Sequence, residues 1–445
     1  MIRGYANALD GLKSSEDLTL RRSLLDAFLP YLQGLVGSAQ FWEEAAEDAG
    51  RFEPDRDWIP PVIVEVVKKL ASDDTIPLLE SDCDLMLSIV LAVKANAPGI
   101  SMSDDPMTSA INNSRGMAVE ALLQFVLRRC RDADKVEKTH LDVWLALKGE
   151  LDAEVACCGD GGCLESSTLL ASYLAQLIYV DSDWVSENIQ RIFSEAHSDN
   201  FVCAIAGLSF ANANGRLYEI LREANVPRRA LRSEHIKGSA RERLLERIAL
   251  AYGWGLVEVH SPELAEMFSS DRIDDLIEVA STISRWSSEK ISDEQVSRVT
   301  DFARSVVAFG LEDATARKKL LRVAARFISF LPSLSDDDMS WLLPIASYAH
   351  SSYGSDEFLE SLDRLGGKNA LNVQRIVEAF LENYEFSDDF RGRLQSIVRK
   401  IDQGGRHLEA LLIVEQIVKR GGGAQWVALY KELVEEGHRT NLGNE

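Results

Sequence analysis

The chain has 445 residues, long enough for two or three ordinary domains or for one extended array. Hydrophobic residues make up 46% and charged residues 27%, which excludes wholesale disorder, and the formal charge of -23 repels phosphate backbones and anionic lipid. No apolar run approaches the roughly 20 residues that a membrane span needs. We therefore expect a soluble, cytoplasmic protein that binds no membrane and disfavours nucleic acid as a partner.

Apolar residues recur at steps of three and four along almost the whole chain, as in Val373, Ile376, Val377 and Phe380. This period is typical of amphipathic helices and predicts an all-α fold. Two turn-rich segments, 97–109 and 157–163, mark module boundaries. We expect an N-terminal helical module (1–100), a helical connector (101–160), central helical repeats (161–290) and C-terminal helical repeats (291–445).

The connector contains the sequence AINNSRGMAVE, which is typical of a helix start. Asn113 or Ser114 can cap the helix, and Arg115 can pair with Glu120 or with a buried carbonyl. Gly116 early in a helix costs up to about 1 kcal/mol relative to alanine, which predicts that another backbone approaches it closely. We interpret the segment as structural, and its candidate residues are Asn112, Asn113, Ser114, Arg115, Gly116 and Glu120.

Three cysteines lie in the loop CCGDGGC: Cys157, Cys158 and Cys163. With His197 or Cys203 they could supply zinc ligands, but zinc sites use paired C-x-x-C spacings that this loop lacks. We therefore expect a reduced turn between helices. No phosphate-binding or nucleophile motif occurs elsewhere, so we expect no metal, no cofactor and no catalytic residue.

The stretch 222–247 is a local exception to the acidic character of the chain, with eight basic against four acidic side chains. Such a stretch can bind an acidic partner or a phosphate chain, but a solvated helix face with internal ion pairs is the interpretation that we favour. The candidate partner-binding residues are Arg228, Arg229, Arg232, Lys237, Arg241 and Arg243.

From about residue 290 onward, helix start and stop signals alternate. Ser292 with Gln295 and Ser335 with Asp338 predict capping boxes, and glycine clusters at 404–405 and 421–423 predict helix ends. The resulting helix pairs repeat at roughly 40 residues, the size of a HEAT-type unit. This favours an α-solenoid of HEAT/TPR-like helix pairs, and an irregular multi-helix bundle explains the same pattern.

The segment 105–122 reads DPMTSAINNSRGMAVEAL. It resembles a D-P-x-x-x-A-I-N-S-x-R-G-x-A-x-E-A-L run in the helical-repeat region of large bacterial antiphage-defence proteins associated with STAND-type ATPase modules. Asn113 stands where that pattern has serine. The segment 408–437 resembles the closing helices of such arrays. The resemblance implies a sensor or scaffold arm that recognises a partner protein, and it brings no catalytic residue.

These observations favour a non-catalytic scaffold or sensor that binds another protein, either a subunit of a defence complex or a phage component. Two alternatives stay open. One is an all-helical metal-dependent hydrolase, because 71 aspartates and glutamates allow carboxylates to converge in three dimensions. The other is a nucleic-acid-binding helical array, which needs the basic stretch to line a groove.

Overall fold

The computed structural model describes residues 18–42, 59–350, 355–383 and 392–442. Within these ranges the regular structure consists of α-helices and short 3-10 helices, and no β-strand occurs. The all-α fold predicted from the sequence is therefore confirmed for the described part of the chain. None of these helices combines the length and the apolar character that crossing a membrane requires.

The chain divides into two compact units, Met1–Leu244 and Leu245–Glu445, and the division falls within the predicted central module. The described helices of the first unit are, in chain order, α1 Leu18–Val36, α2 Ile59–Ser72, α3 Glu80–Asn96, α4 Pro106–Asn112, α5 Ser114–Glu137, α6 Leu141–Gly159, α7 Leu164–Ser172, α8 Leu174–Ile192, α9 Ser198–Leu208, α10 Gly215–Glu223 and α11 Val226–Arg232. The next helix, α12 Gly238–Gly253, contains the division between the units.

The second unit continues with α13 Pro262–Ala265, α14 Ile273–Arg285, α15 Asp293–Glu312, α16 Lys318–Ala325, α17 Asp336–Leu342, α18 Ser355–Gly366, α19 Ala370–Leu381, α20 Arg393–Gln403, α21 His407–Lys419 and α22 Ala424–Leu442. Short 3-10 helices occur at Ser270–Arg272, Trp286–Ser288, Arg326–Phe330 and Leu343–Tyr348.

Helix α7 lies at the centre of the first unit. All nine of its residues are buried, and it packs against α4, α5, α6, α8 and α9. Gly207 of α9 allows the closest of these approaches, since a Cβ at Gly207 would lie 2.7 Å from the carbonyl carbon of Thr168. Helix α7 nevertheless carries polar side chains, including Glu165, and their burial requires polar partners inside the unit.

Two helix starts in the second unit follow the capping pattern in the sequence. The Ser292 hydroxyl accepts a bond of 3.3 Å from the Gln295 N–H, and the Gln295 side chain accepts one of 2.9 Å from the Ser292 N–H. Ser335 and Asp338 make the same reciprocal pair at the start of α17. Both predicted capping boxes are confirmed. Each pair of bonds satisfies two N–H groups that the start of a helix otherwise leaves without partners.

Glycines follow two helices of the second unit where the sequence predicts that the helices end. Gly405 follows α20 with φ of 81°, and Gly421 follows α21 with φ of 94°. Glycine adopts this left-handed conformation without the steric cost that a Cβ imposes. The chain reverses at each point and begins the next helix within a few residues.

Helices of the second unit contact both the next helix and the helix after it. Helix α18 packs on the 3-10 helix Arg326–Phe330 and on α20, while α19 packs on the 3-10 helix Leu343–Tyr348 and on α21. Helix α21 also contacts its neighbours α20 and α22. Contacts among these helices thus join elements that are close in sequence.

Side-chain hydrogen bonds between these helices recur at similar sequence separations. Arg364 donates to the carbonyl oxygen of Leu331, 33 residues away, at 2.8 Å. Lys400 donates to that of Asp363, 37 residues away, at 2.8 Å. Further bonds of this kind join Arg406 to Gln374, Arg393 to Asp356, and Arg420 to Leu381, over 32, 37 and 39 residues. Polar contacts therefore join helices of the second unit over 32 to 39 residues of sequence.

Candidate functional site

The AINNSRG segment forms a tight junction between α4 and α5. Asp105 caps α4, because its carboxylate accepts a 3.0 Å bond from the N–H of Thr108. Asn113 ends α4 and caps α5, since its side-chain oxygen accepts bonds of 2.9 and 3.1 Å from the N–H groups of Arg115 and Gly116. Of the two caps that the sequence allowed, the structure uses Asn113. Ser114 is the first residue of α5, and Asn112 is exposed at the end of α4.

Gly116 is buried against the backbone of α4. A Cβ at this position would overlap the carbonyl oxygen of Ala110 and lie 2.9 Å from its carbonyl carbon. The obstructing atoms belong to the backbone, so they cannot move aside as the end of a flexible side chain can. This is the close backbone approach that the position of Gly116 predicts from the sequence.

Arg115 extends from this junction to two buried carboxylates. Its guanidinium donates to Glu165, whose residue is 0% exposed, and lies 3.7 Å from Glu154. Lys94 of α3 also pairs with Glu154 at 2.9 Å. We call these four residues the Arg115 cluster. It joins α3, α5, α6 and α7, and its two positive and two negative charges balance.

The neutral groups around the Arg115 cluster complete its hydrogen bonds. The N–H of Ile100 donates to Glu165 at 3.2 Å, and the hydroxyl of Ser166 donates to Glu154 at 2.5 Å. Burial raises the pKa of the nearby Cys158 thiol to about 12, with Ser167 lowering it and Glu154 raising it. Cys158 therefore stays protonated and unreactive near neutral pH. The arrangement fixes helices and presents no activated nucleophile.

Glu120 belongs to a second polar group and does not pair with Arg115. The sequence offered Glu120 or a buried carbonyl as the partner of Arg115, and that prediction is wrong, because Arg115 pairs with Glu165 and Glu154. Glu120 instead binds Lys68 of α2 at 2.7 Å and accepts a 3.2 Å bond from the hydroxyl of Tyr173. Burial, and then the charge of Glu120, raises the pKa of Tyr173.

The basic stretch contains residues in two different situations. Arg229 is held internally: it donates to the carbonyl oxygen of Phe193 at 3.1 Å, pairs with Glu195 at 3.2 Å and lies over the ring of Phe201. Arg241 likewise donates to two backbone carbonyl oxygens, those of Leu231 and Ile236.

The other four candidates of the stretch are more open to solvent. Arg232, Lys237 and Arg243 are exposed, and Arg228 is half-buried. A docking face built from this stretch therefore consists of these four side chains, whereas Arg229 and Arg241 stabilise the fold around α11.

The cysteine loop closes through a disulfide. Cys157 and Cys163 are bonded, with their Cα atoms 5.5 Å apart, while Cys158 and Cys203 are buried free thiols. The predicted reduced turn is therefore wrong for this pair. The ring of His197 packs against Gly161, where φ is 80°. Within the described residues, no group of three or more histidine, cysteine, aspartate or glutamate side chains is placed to hold a metal ion.

The Arg115 cluster was missed at the sequence level because its members come from four helices. The sequence of α7, LESSTLLAS, did carry one signal of buried polar contacts. It is rich in polar residues, yet these do not form the continuous polar face that a surface helix exposes to water.

Comparison with known protein families finds no family model that matches the chain, and no curated protein matches it either.

Proposed function

We propose that this chain is a non-catalytic helical-repeat scaffold or sensor that binds a partner protein. The observation that carries the proposal is the recurrence of side-chain bonds over 32 to 39 residues in the second unit. A stack of similar helix pairs places equivalent residues one repeat apart, so such bonds repeat at the length of the repeat. This supports an α-solenoid of HEAT/TPR-like pairs over an irregular bundle.

A solenoid presents a long continuous surface, which suits protein recognition better than small-molecule chemistry. In the second unit, helices α19 and α21, which contact each other, carry three leucines that are at least half exposed. Leu371 is 50% exposed, Leu408 66% and Leu412 52%. Leu408 and Leu412 are four residues apart on α21 and so share one face of that helix. We propose that these three leucines belong to the binding surface.

The resemblance of 105–122 to antiphage-defence proteins supports a setting in bacterial antiviral defence. The partner we propose is a subunit of a defence complex or a phage component. A cytoplasmic location is part of this proposal. The Cys157–Cys163 disulfide stands against it, because disulfides are uncommon in reducing compartments.

Two observations on the described residues favour the scaffold over the alternative functions. The buried carboxylates Glu154 and Glu165 are paired with Lys94 and Arg115, so they do not form the open set of ligands that a metal-dependent hydrolase needs. In the basic stretch, Arg229 and Arg241 bond to backbone carbonyls, so part of their hydrogen-bonding capacity is used within the fold.

The test is affinity purification of the tagged full chain from bacterial cells with and without phage infection. The variant carries Leu371→Ser, Leu408→Ser and Leu412→Ser. The matched control carries Leu79→Ser, Leu141→Ser and Leu145→Ser in the first unit, where the leucines are 54%, 56% and 60% exposed. Both variants lose the same amount of apolar side chain, and circular dichroism checks that both fold.

We expect one protein to co-purify in stoichiometric amount with the wild type and with the control, and to be lost with the second-unit variant. Retention of that protein by the second-unit variant would remove the leucines from the binding surface. Absence of any stoichiometric protein in both growth conditions would count against the scaffold itself.

A further inference from the structure

Helix α8 is interrupted at Asp181, where the backbone is extended with φ of -159° and ψ of 98°. One oxygen of the Asp181 carboxylate accepts a 2.9 Å bond from the N–H of Trp184, as an N-cap does for a new helix. The other oxygen accepts a 2.7 Å bond from the indole N–H of Trp144 on α6. Helix α8 therefore consists of two segments, and the junction between them contacts the start of α6.

His140, immediately before α6, binds this junction and α5 together. Its Nδ1 lies 2.9 and 3.0 Å from the two carboxylate oxygens of Asp134 in α5. Its Nε2 lies 2.9 Å from the carbonyl oxygen of Val180, directly before the interruption in α8. A carbonyl oxygen only accepts hydrogen bonds, and so does an ionised carboxylate. Both ring nitrogens must therefore donate, which requires the imidazolium form of the ring.

The charged and titratable groups around His140 favour that form. On α5 the neighbour is Asp134, and on α8 the neighbours are Tyr179, whose hydroxyl donates to Asp134, and Asp181. Partial burial lowers the pKa of His140, but the Val180 carbonyl and the Asp134 carboxylate raise it by more, and the net shift is upward. The Tyr179 bond and then the His140 bond lower the pKa of Asp134, so this carboxylate is ionised near neutral pH.

Two further titratable groups, Cys130 and Arg131 of α5, act on the Tyr179 hydroxyl of this cluster. Burial raises the pKa of the Tyr179 hydroxyl on α8 to about 12, and the bond to Asp134 also raises it. Cys130 and Arg131 have smaller effects on this pKa: Cys130 raises it and Arg131 lowers it. Tyr179 therefore remains a hydroxyl donor up to strongly alkaline pH. His140 is the member of the cluster whose side-chain type has its ordinary pKa closest to neutral pH.

We propose that His140 is a pH-sensitive clasp that fastens the junction of α8 to the end of α5 when protonated and releases one of these contacts when it loses a proton. Because the pKa of His140 is raised in the folded state, the clasp stabilises the fold fully below about pH 6.5, which is the pKa of an unfolded histidine. This stabilisation is lost as the pH rises through the higher folded value. Alkaline pH therefore loosens the turn between α5 and α6.

Exposed apolar side chains lie close to the clasp in sequence. Val136 at the end of α5 is 82% exposed, and Leu141 and Leu145 at the start of α6 are 56% and 60% exposed. Val136 is on α5, which the clasp joins to α8, and the two leucines are on α6, which begins directly after His140. Release of the clasp gives these exposed side chains greater freedom without unfolding the buried helices.

The first measurement is NMR of the full chain with labelled imidazole nitrogens, from pH 5.5 to pH 9. We expect both His140 nitrogens to carry protons at pH 6.5 and the titration midpoint of His140 to lie above about 6.5, the value for an unfolded histidine. Asp134→Asn removes the facing charge and should lower the midpoint by about 1 pH unit. A His140 ring that is neutral at pH 6.5, or a midpoint that Asp134→Asn leaves unchanged, would overturn the proposal.

The second measurement is hydrogen exchange of residues 131–146 and 178–184, corrected for the intrinsic dependence on pH. In the wild type, protection should fall about tenfold or more between pH 6 and pH 9. In His140→Gln it should be low at both pH values. His407→Gln is the matched control, because His407 also contacts a carboxylate, with its Nδ1 2.6 Å from Asp402. Equal protection in the wild type at the two pH values would contradict the clasp even if the variant fails to fold.

Discussion

Gly116 and Ala110 lie in direct backbone contact, with the carbonyl oxygen of Ala110 filling the space that a Cβ on Gly116 would occupy. We expect Gly116→Leu to force α4 and α5 apart and to lower the free energy of unfolding by about 1–3 kcal/mol, or more, because the obstruction is backbone. Urea unfolding followed by circular dichroism measures the change.

Gly149 supplies the matched control for that substitution. It is an exposed residue within α6, and a Cβ there would have no atom within 4 Å. Gly149→Ala should be neutral or stabilise the chain by up to about 1 kcal/mol, because alanine favours the helix more than glycine does. A loss at Gly149→Ala equal to that of Gly116→Leu would contradict a specific role of the contact with Ala110, because helix propensity alone predicts a gain at both positions.

The pairing of Arg115 with Glu165 predicts a large cost when one partner is removed. Arg115→Met leaves the carboxylate of Glu165 buried without its guanidinium partner, which typically costs about 3–5 kcal/mol. Adding Glu165→Gln should recover part of that loss, since the buried charge is then gone. Denaturant midpoints of the single and double variants test this. A double variant less stable than the sum of the two single changes would contradict the pairing.

The side chain of Asn369, directly before α19, joins this helix to the backbone of Leu334 before α17. Its side chain accepts from the N–H of Leu334 at 3.2 Å and donates to the carbonyl oxygen of Leu334 at 3.3 Å, while Asn372 donates to the same oxygen at 3.1 Å. Asn369→Ala leaves the N–H of a buried residue without this partner and should cost about 1–3 kcal/mol.

Asn372→Ala is the control for the Asn369 prediction, because Asn369 still supplies a donor to the Leu334 carbonyl. We expect the loss at Asn372 to be clearly smaller in thermal unfolding. Hydrogen exchange should also show lost protection at Leu334 in the Asn369 variant alone. Equal losses in the two variants would mean that the Leu334 N–H does not depend on Asn369.

The features that sequence reasoning predicted correctly are local. The capping bond of Ser292 with Gln295 spans three residues, and the helical period spans three or four, so both are present in the sequence itself. The partner of Arg115 lies 50 residues away on a helix whose burial depends on five neighbours. The oxidised pair Cys157 and Cys163 was missed for a similar reason, since their Cα separation of 5.5 Å depends on how the loop closes.

The basic stretch yields the prediction that bears most directly on binding. The triple variant Arg232→Glu, Lys237→Glu and Arg243→Glu reverses three exposed charges of the stretch. Its stability should change by no more than about 1 kcal/mol, because exposed ion pairs contribute little. If these residues contact an acidic partner, binding should weaken strongly at low salt. The loss should shrink as salt shortens the range of electrostatic attraction to about 10 Å or less.

The comparison variant is Arg229→Glu, a single change in the same stretch. It breaks the bond to the Phe193 carbonyl and the contact with the ring of Phe201, and it places a carboxylate near Glu195. Its main effect should therefore be lower thermal stability at every salt concentration. Binding measured by titration calorimetry and melting measured on the same samples separate the two outcomes. Salt-dependent weakening by the triple variant without loss of stability would assign the exposed side chains to docking, whereas unchanged binding would leave them as a solvated helix face.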